Sequence, residues 1–230
     1  MAFDSVNIRE PEGRARWEAA GKPVIPSLEV EGVVSGIMHP SQVASLLGLG
    51  TGPDGAGAAF EGPRLAWDIS TILDAWVDHL RPLDWQTICE PTPSRERSLR
   101  NLTCNTFHPI TLLPGALETG RFPWSTAEDG EREAALHSAD EIVEYAATIA
   151  TDWQGWLLGA DELLERAGAT SVTHEQRGDL DGATLLAAQR WHAAFHYRQL
   201  KVFLASRGVE LAGSFRIEAL ADLELPEEVF

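Results

Sequence analysis

Between residues 64 and 206, apolar side chains return every three or four positions in four long stretches, and this period commits the chain to a helical core. The clearest stretch covers residues 64–80, with Leu65, Ala66, Ile69, Ile72, Leu73, Trp76, Val77 and Leu80 on one stripe. A second covers residues 94–113 and opens at Pro93-Ser94, a helix-start signal. A third begins at Ser138-Ala139-Asp140-Glu141, where a serine precedes a glutamate by three positions, as in a capping box. It carries Ile142, Tyr145, Ala146, Ile149, Trp153 and Trp156 on related faces. The fourth runs from about Leu180 to Ser206 and ends at Gly208. Four amphipathic helices that must each bury a face predict an antiparallel four-helix bundle over residues 63–210.

The remainder has a different texture. Residues 49–62 are dense in Gly, Ala and Pro and read as a linker. Before it, residues 1–48 show a short alternating strand at 3–8, a polar helix at 10–20, and two strands within 24–34 joined at a turn containing Gly32. His39-Pro40-Ser41-Gln42-Val43 then opens a helix that ends near Gly48. Residues 211–230 form an acidic C-terminal extension.

With 35 acidic and 18 basic residues the net charge is −17, which disfavours phosphate backbones and anionic lipid. No apolar run is long enough for a membrane span, and the N-terminus carries no secretory signal, so a cytoplasmic location is expected. Cys89 and Cys104 are the only cysteines, too few for a disulfide framework. The expected partner is a small-molecule substrate, and a homodimer is compatible with the N-terminal segment.

The fourth stretch contains His192-Ala193-Ala194-Phe195-His196. Side chains four apart leave the same face of a helix, so both imidazoles can ligate one divalent metal. No glutamate follows His192, which excludes the zincin pattern. Of the other histidines, His137 and His174 read as solvent residues, His39 as part of the small N-terminal region and His79 as a surface or helix-end group. His108 is the third ligand expected, because Pro109 removes the next backbone donor and fixes the local turn. Zinc suits an imidazole set best, and nickel, iron or manganese also fit. Around this core, Asp152 is expected to hydrogen-bond a ligand histidine. Gln189, Gln199 and Arg190 stand near the pair, and Cys104 shares a helical face with His108.

One histidine on the second helix followed by His-x-x-x-His on the fourth resembles the DinB and mycothiol-dependent maleylpyruvate isomerase family. The resemblance implies a metal-binding four-helix bundle, with His192 and His196 as the paired ligands and His108 as the first by order and distance. The family includes thiol S-transferases and an isomerase. The stretch Val24-Ile25-Pro26-Ser27-Leu28-Glu29-Val30-Glu31-Gly32 is similar to the cis-proline segment of glutaredoxin and thioredoxin folds, here without the half that carries Cys-x-x-Cys. That likeness implies that Ile25 and Pro26 line a thiol or substrate site, the alternative being a docking appendage. The expected function is a metal-dependent S-transferase or isomerase that uses a low-molecular-weight thiol of the mycothiol type, in a bacterium of high GC content. A metal-dependent hydrolase, a biosynthetic enzyme without a thiol, and a non-catalytic bundle with a structural metal stay open.

Overall fold

The computed structural model describes residues 4–8, 10–21, 27–36, 43, 46–47, 62–93, 97–175, 177–209, 223 and 225. The chain divides into two compact units, Met1–Ala58 and Ala59–Phe230.

In the first unit, helix α1 (Pro11–Ala19) is followed by strands β1 (Ser27–Val30) and β2 (Val33–Gly36), paired antiparallel with Val30 opposite Val33. Their two-residue turn, Glu31 at φ 51° and Gly32 at φ 81°, uses the left-handed conformation that matches the twist of a hairpin. Arg16 of α1 ties the helix to Glu29 of β1 at 3.0 Å. The helix and the hairpin agree with the expectation, but the strand does not: residues 4–7 form no regular structure. Ile25, Pro26, His39 and most of the helix expected before Gly48 lie outside the described residues.

The second unit is mainly helical with one small sheet. Its elements are α2 (Gly62–Leu80), α3 (Trp85–Cys89), α4 (Leu99–Thr119), β3 (Arg121–Phe122), α5 (Thr126–Ala135), α6 (Ala139–Leu157), α7 (Asp161–Glu165), β4 (Ser171–His174), β5 (Gly178–Asp181) and α8 (Gly182–Ser206). Helices α2 and α4 each pack against both α6 and α8. The apolar stripe of α2 is buried along its whole length, from Leu65 to Leu80. At the centre Trp76 of α2 meets Phe107 of α4 edge-on at 5.9 Å and Tyr197 of α8 at 6.4 Å. Its indole N–H donates to Thr103 Oγ1 at 3.1 Å, so the one polar atom of the largest core side chain is satisfied. Burial of a side chain of Phe107's size stabilises the fold by roughly 1.5–3 kcal/mol.

Helix α4 differs from the expectation at both ends. It begins at Leu99, because Ser98 is the N-cap, accepting from the Asn101 N–H at 3.0 Å. Upstream, the Thr92 N–H donates to the Arg97 carbonyl at 2.7 Å, and residues 94–96, where the helix is expected to open, lie outside the described residues. It continues past residue 113 to Thr119 and stops at Gly120, whose φ of 73° is a left-handed cap. Pro109 and Pro114 each remove one backbone rung. The helix persists because Phe107, Ile110, Leu113, Ala116 and Leu117 bury its face on both sides of the prolines.

Helix α6 begins at the expected cap, with Ser138 Oγ accepting from the Glu141 N–H at 3.2 Å. Glu141 reaches back one residue further than a reciprocal box requires, accepting from the His137 N–H at 2.6 Å. Helix α8 is capped by Asp181, which accepts from the Thr184 N–H at 2.8 Å. A Cβ at Gly182 would stand 2.6 Å from Leu117 Cδ2 and 3.0 Å from the Ala167 carbonyl oxygen, so a side chain here would make both neighbours give way.

The sheet has the order β3-β4-β5, with β3 parallel and β5 antiparallel to β4. Periodicity did not announce it, since the strands have only two to four residues. It corrects the reading of His174 as a solvent histidine: the imidazole is fully buried at the end of β4. His79 is likewise buried, with Tyr197 Oη 3.3 Å from its Nε2. Among the described residues no helix is long and apolar enough to cross a membrane. The acidic extension lies almost entirely outside the described residues.

Candidate functional site

Helix α8 carries His192 and His196 on one face, and their Nε2 atoms stand 3.0 Å apart. His196 is held from behind: its Nδ1 lies 2.7 Å from Gln199 Oε1. An amide oxygen only accepts, so Nδ1 carries the proton, and the hydrogen bond between the two Nε2 atoms places a further proton on one of them. His192 Nδ1 is buried and has no hydrogen-bond partner among the described residues. Burial foremost, then His196, Arg177 and Arg97, hold the His192 imidazole well below its ordinary range. Neutral imidazole is the form that ligates metal.

His108 is fully buried on α4, and its Nδ1 lies 2.7 Å from Asp129 Oδ1 on α5. Its Nε2 is buried and makes no hydrogen bond among the described residues, although a Glu128 carboxylate oxygen comes within 3.4 Å. Asp129, itself buried, gathers two further donors. Trp124 Nε1–H reaches Oδ1 at 3.2 Å and Asn105 Nδ2–H reaches Oδ2 at 2.7 Å. The Trp124 ring continues the connection, 5.7 Å from His192 and 6.3 Å from His174. His108 is thus joined to the α8 pair through Asp129 and Trp124. As the side chains stand, no three His, Cys, Asp or Glu groups among the described residues close around one point.

Two features of this arrangement fit a metal ion. Nitrogens bound about 2.0–2.1 Å from one ion lie roughly 3 Å apart when they are adjacent ligands, which is the spacing of the α8 pair. The Nδ1–carboxylate and Nδ1–amide bonds at His108 and His196 are the kind of outer contacts that orient ligating imidazoles.

Next to Asp129 opens a cavity of about 440 Å³, lined also by Arg97, Arg100, Asn101, Asn105 and Glu133. Glu133 organises its wall, accepting from Ser98 Oγ at 3.3 Å, Arg100 Nε at 3.2 Å and Asn101 Nδ2 at 2.5 Å. Apart from Cys89, the side chains that line it are polar, so the space suits a hydrogen-bonding ligand.

The other expected site residues distribute as follows. Gln199 joins the site through His196, whereas Gln189 is buried with its Oε1 unbonded among the described residues. Arg190 is not available to a substrate: it is buried in an ion pair with Asp68 of α2 at 2.8 Å, joining two core helices. Asp152 is exposed on α6, and the carboxylate that bonds a histidine is Asp129. Cys104 is fully buried, and burial, reinforced by Glu133 and Asp129, pushes its thiol up to about 12, which leaves it a poor nucleophile. Trp153 belongs to the core, its indole N–H donating to the Ala66 carbonyl at 3.1 Å. Sequence reasoning missed Asp129, Trp124 and His174. The available signal was the i, i+3 spacing of Asn105 and His108, which puts an amide and an imidazole on one face, ready to share a carboxylate.

No family model, no curated protein and no solved structure matches this chain.

Proposed function

We propose that the helical unit is a metal-dependent enzyme of the DinB and maleylpyruvate-isomerase kind, on that family's four-helix bundle, with His108, His192 and His196 as ligands. The observation that carries this reading is the 3.0 Å approach of two Nε2 atoms on α8, one ring being fixed by Gln199. His108 supports it with a carboxylate on Nδ1 and a buried, unbonded Nε2. Zinc is favoured by the nitrogen donors. A metal held by these imidazoles would supply Lewis acidity, lowering the pKa of a coordinated water or thiol.

The chain's own residues supply the remaining chemistry. Gln199 and Asp129 bond Nδ1 of His196 and His108 and so turn each Nε2 toward the site, where His196 Nε2 meets His192. Arg97 and Arg177, whose charges reach His192, favour an anionic nucleophile or substrate beside it. The polar cavity beside Asp129 admits a small hydrogen-bonding molecule. A low-molecular-weight thiol is the proposed co-substrate, on the likeness of residues 24–32 to a thiol-binding segment. The reaction class is then S-transfer or thiol-assisted isomerisation.

Metal analysis of protein purified without added metal tests the site. Stoichiometric zinc or another divalent ion is expected in the wild type, and its loss in His192→Ala. No metal in the wild type, or stoichiometric metal in the variant, overturns the ligand set. Turnover that requires added thiol supports the transferase or isomerase reading, and thiol-independent hydrolysis replaces it.

A further inference from the structure

We infer that Asp129 is the positioning residue of His108: it holds the imidazole in the Nδ1–H form, so that the Nε2 lone pair is the one presented for binding. This goes beyond the ligand set proposed above and rests on that reading for its metal arm only.

The warrant is the environment of the carboxylate. Asp129 is 2% exposed, on a helix of mostly polar residues. A buried carboxylate is costly unless its oxygens are satisfied. Here three donors from two segments converge on it: the His108 imidazole and the Asn105 amide on α4, and the Trp124 indole ahead of α5. The indole and amide donors are fixed in kind, since Trp Nε1 only donates and the Asn105 Nδ2 only donates. They hold both oxygens in place, and Oδ1 can then serve His108 only as an acceptor. A proton on Nδ1 follows, so of the two singly protonated forms it is the one with a bare Nε2 that this carboxylate selects. Such outer carboxylates raise the basicity of a ligating imidazole and fix its orientation.

The variants separate these roles. In Asp129→Asn, the Trp124 donor requires the amide oxygen to stay on the side of Oδ1, so the Nδ1–H tautomer survives without the negative charge. In Asp129→Ala nothing selects a tautomer. Thr103→Val, which deletes a buried hydrogen bond elsewhere on α4, controls for general loosening.

The experiment uses metal-free full-length protein with ¹⁵N-labelled histidine, and then titration with Zn²⁺ alone. Wild type and Asp129→Asn are expected to show His108 protonated on Nδ1 and bare on Nε2, and Asp129→Ala a mixture of tautomers. Zinc affinity is expected to fall about 10- to 100-fold in Asp129→Ala, less in Asp129→Asn, and not in Thr103→Val. Two results overturn the inference. One is a wild-type His108 protonated on both nitrogens at neutral pH, a cation between Asp129 and Glu128. The other is an Asp129→Ala protein that keeps the wild-type tautomer and zinc affinity. A wild type that shows the Nδ1–H tautomer but binds no zinc removes the metal reading of the previous section and leaves Asp129's hold on His108 supported.

Discussion

Two histidines of the candidate site are held in the same way by very different means. His196 is oriented by Gln199, three residues along its own helix. His108 is oriented by Asp129, 21 residues away on a separate helix that must dock before the bond exists. The first contact forms whenever α8 forms. The second depends on α5, on Trp124 and on Asn105, and through Trp124 it adjoins the buried His174 of the small sheet. One half of the site is a property of local helix geometry, and the other is a property of the assembled fold.

This contrast can be broken most directly by removing each holding group. Asp129→Ala leaves three buried donors unsatisfied and is expected to cost about 4 kcal/mol in chemical denaturation of the metal-free protein. Gln199→Ala strands one imidazole N–H and is expected to cost about 1 kcal/mol. Equal losses would show that the α8 contact is as dependent on tertiary packing as the α4 contact.

The sheet side of the site sharpens the comparison through pH. Burial, with Arg177 nearby, lowers His174 from 6.5 to about 4, so folding favours its neutral form. Its contribution is therefore complete above pH 6.5 and is lost as pH falls toward 4, by roughly 3 kcal/mol. Thermal or urea unfolding at pH 7 and pH 4.5 is expected to show this slope in the wild type and a shallower one in His174→Phe. An unchanged slope in that variant would assign the acid sensitivity to other groups.

The smallest effect belongs to a purely local contact. Ser138→Ala removes the N-cap of α6, away from the histidines, and is expected to cost about 1 kcal/mol with no change in zinc affinity. A larger loss, or any loss of zinc, would tie the α6 start to the site.

Much of the frame was legible in the residues. The stripe from Leu65 to Leu80 is buried as a stripe, and Ser138 caps where the pattern put a cap. Helix α8 spans the pair expected on it. The errors cluster where structure is short or where long-range packing overrules local signals. Ser94 resembles a helix start, but the cap that α4 uses is Ser98, and a buried face then carries the helix through two prolines. Arg190 stands beside the histidine pair in the sequence, yet Asp68 on α2 holds it in a buried ion pair.

By itself the sequence determined the elements whose cause is periodic and local: the long helices, the Ser138 cap, the β1–β2 turn, and the placing of His192 and His196 on one face. Helical spacing acts within a few residues, so no partner is needed to read it. Only the tertiary structure decided that Asp129 rather than Asp152 holds a histidine, that Trp124 bridges His108 to the pair, and that His174 is buried. Those outcomes come from hydrogen-bond satisfaction and exclusion of water between segments distant in the chain, and neither condition is written in the spacing of any single segment.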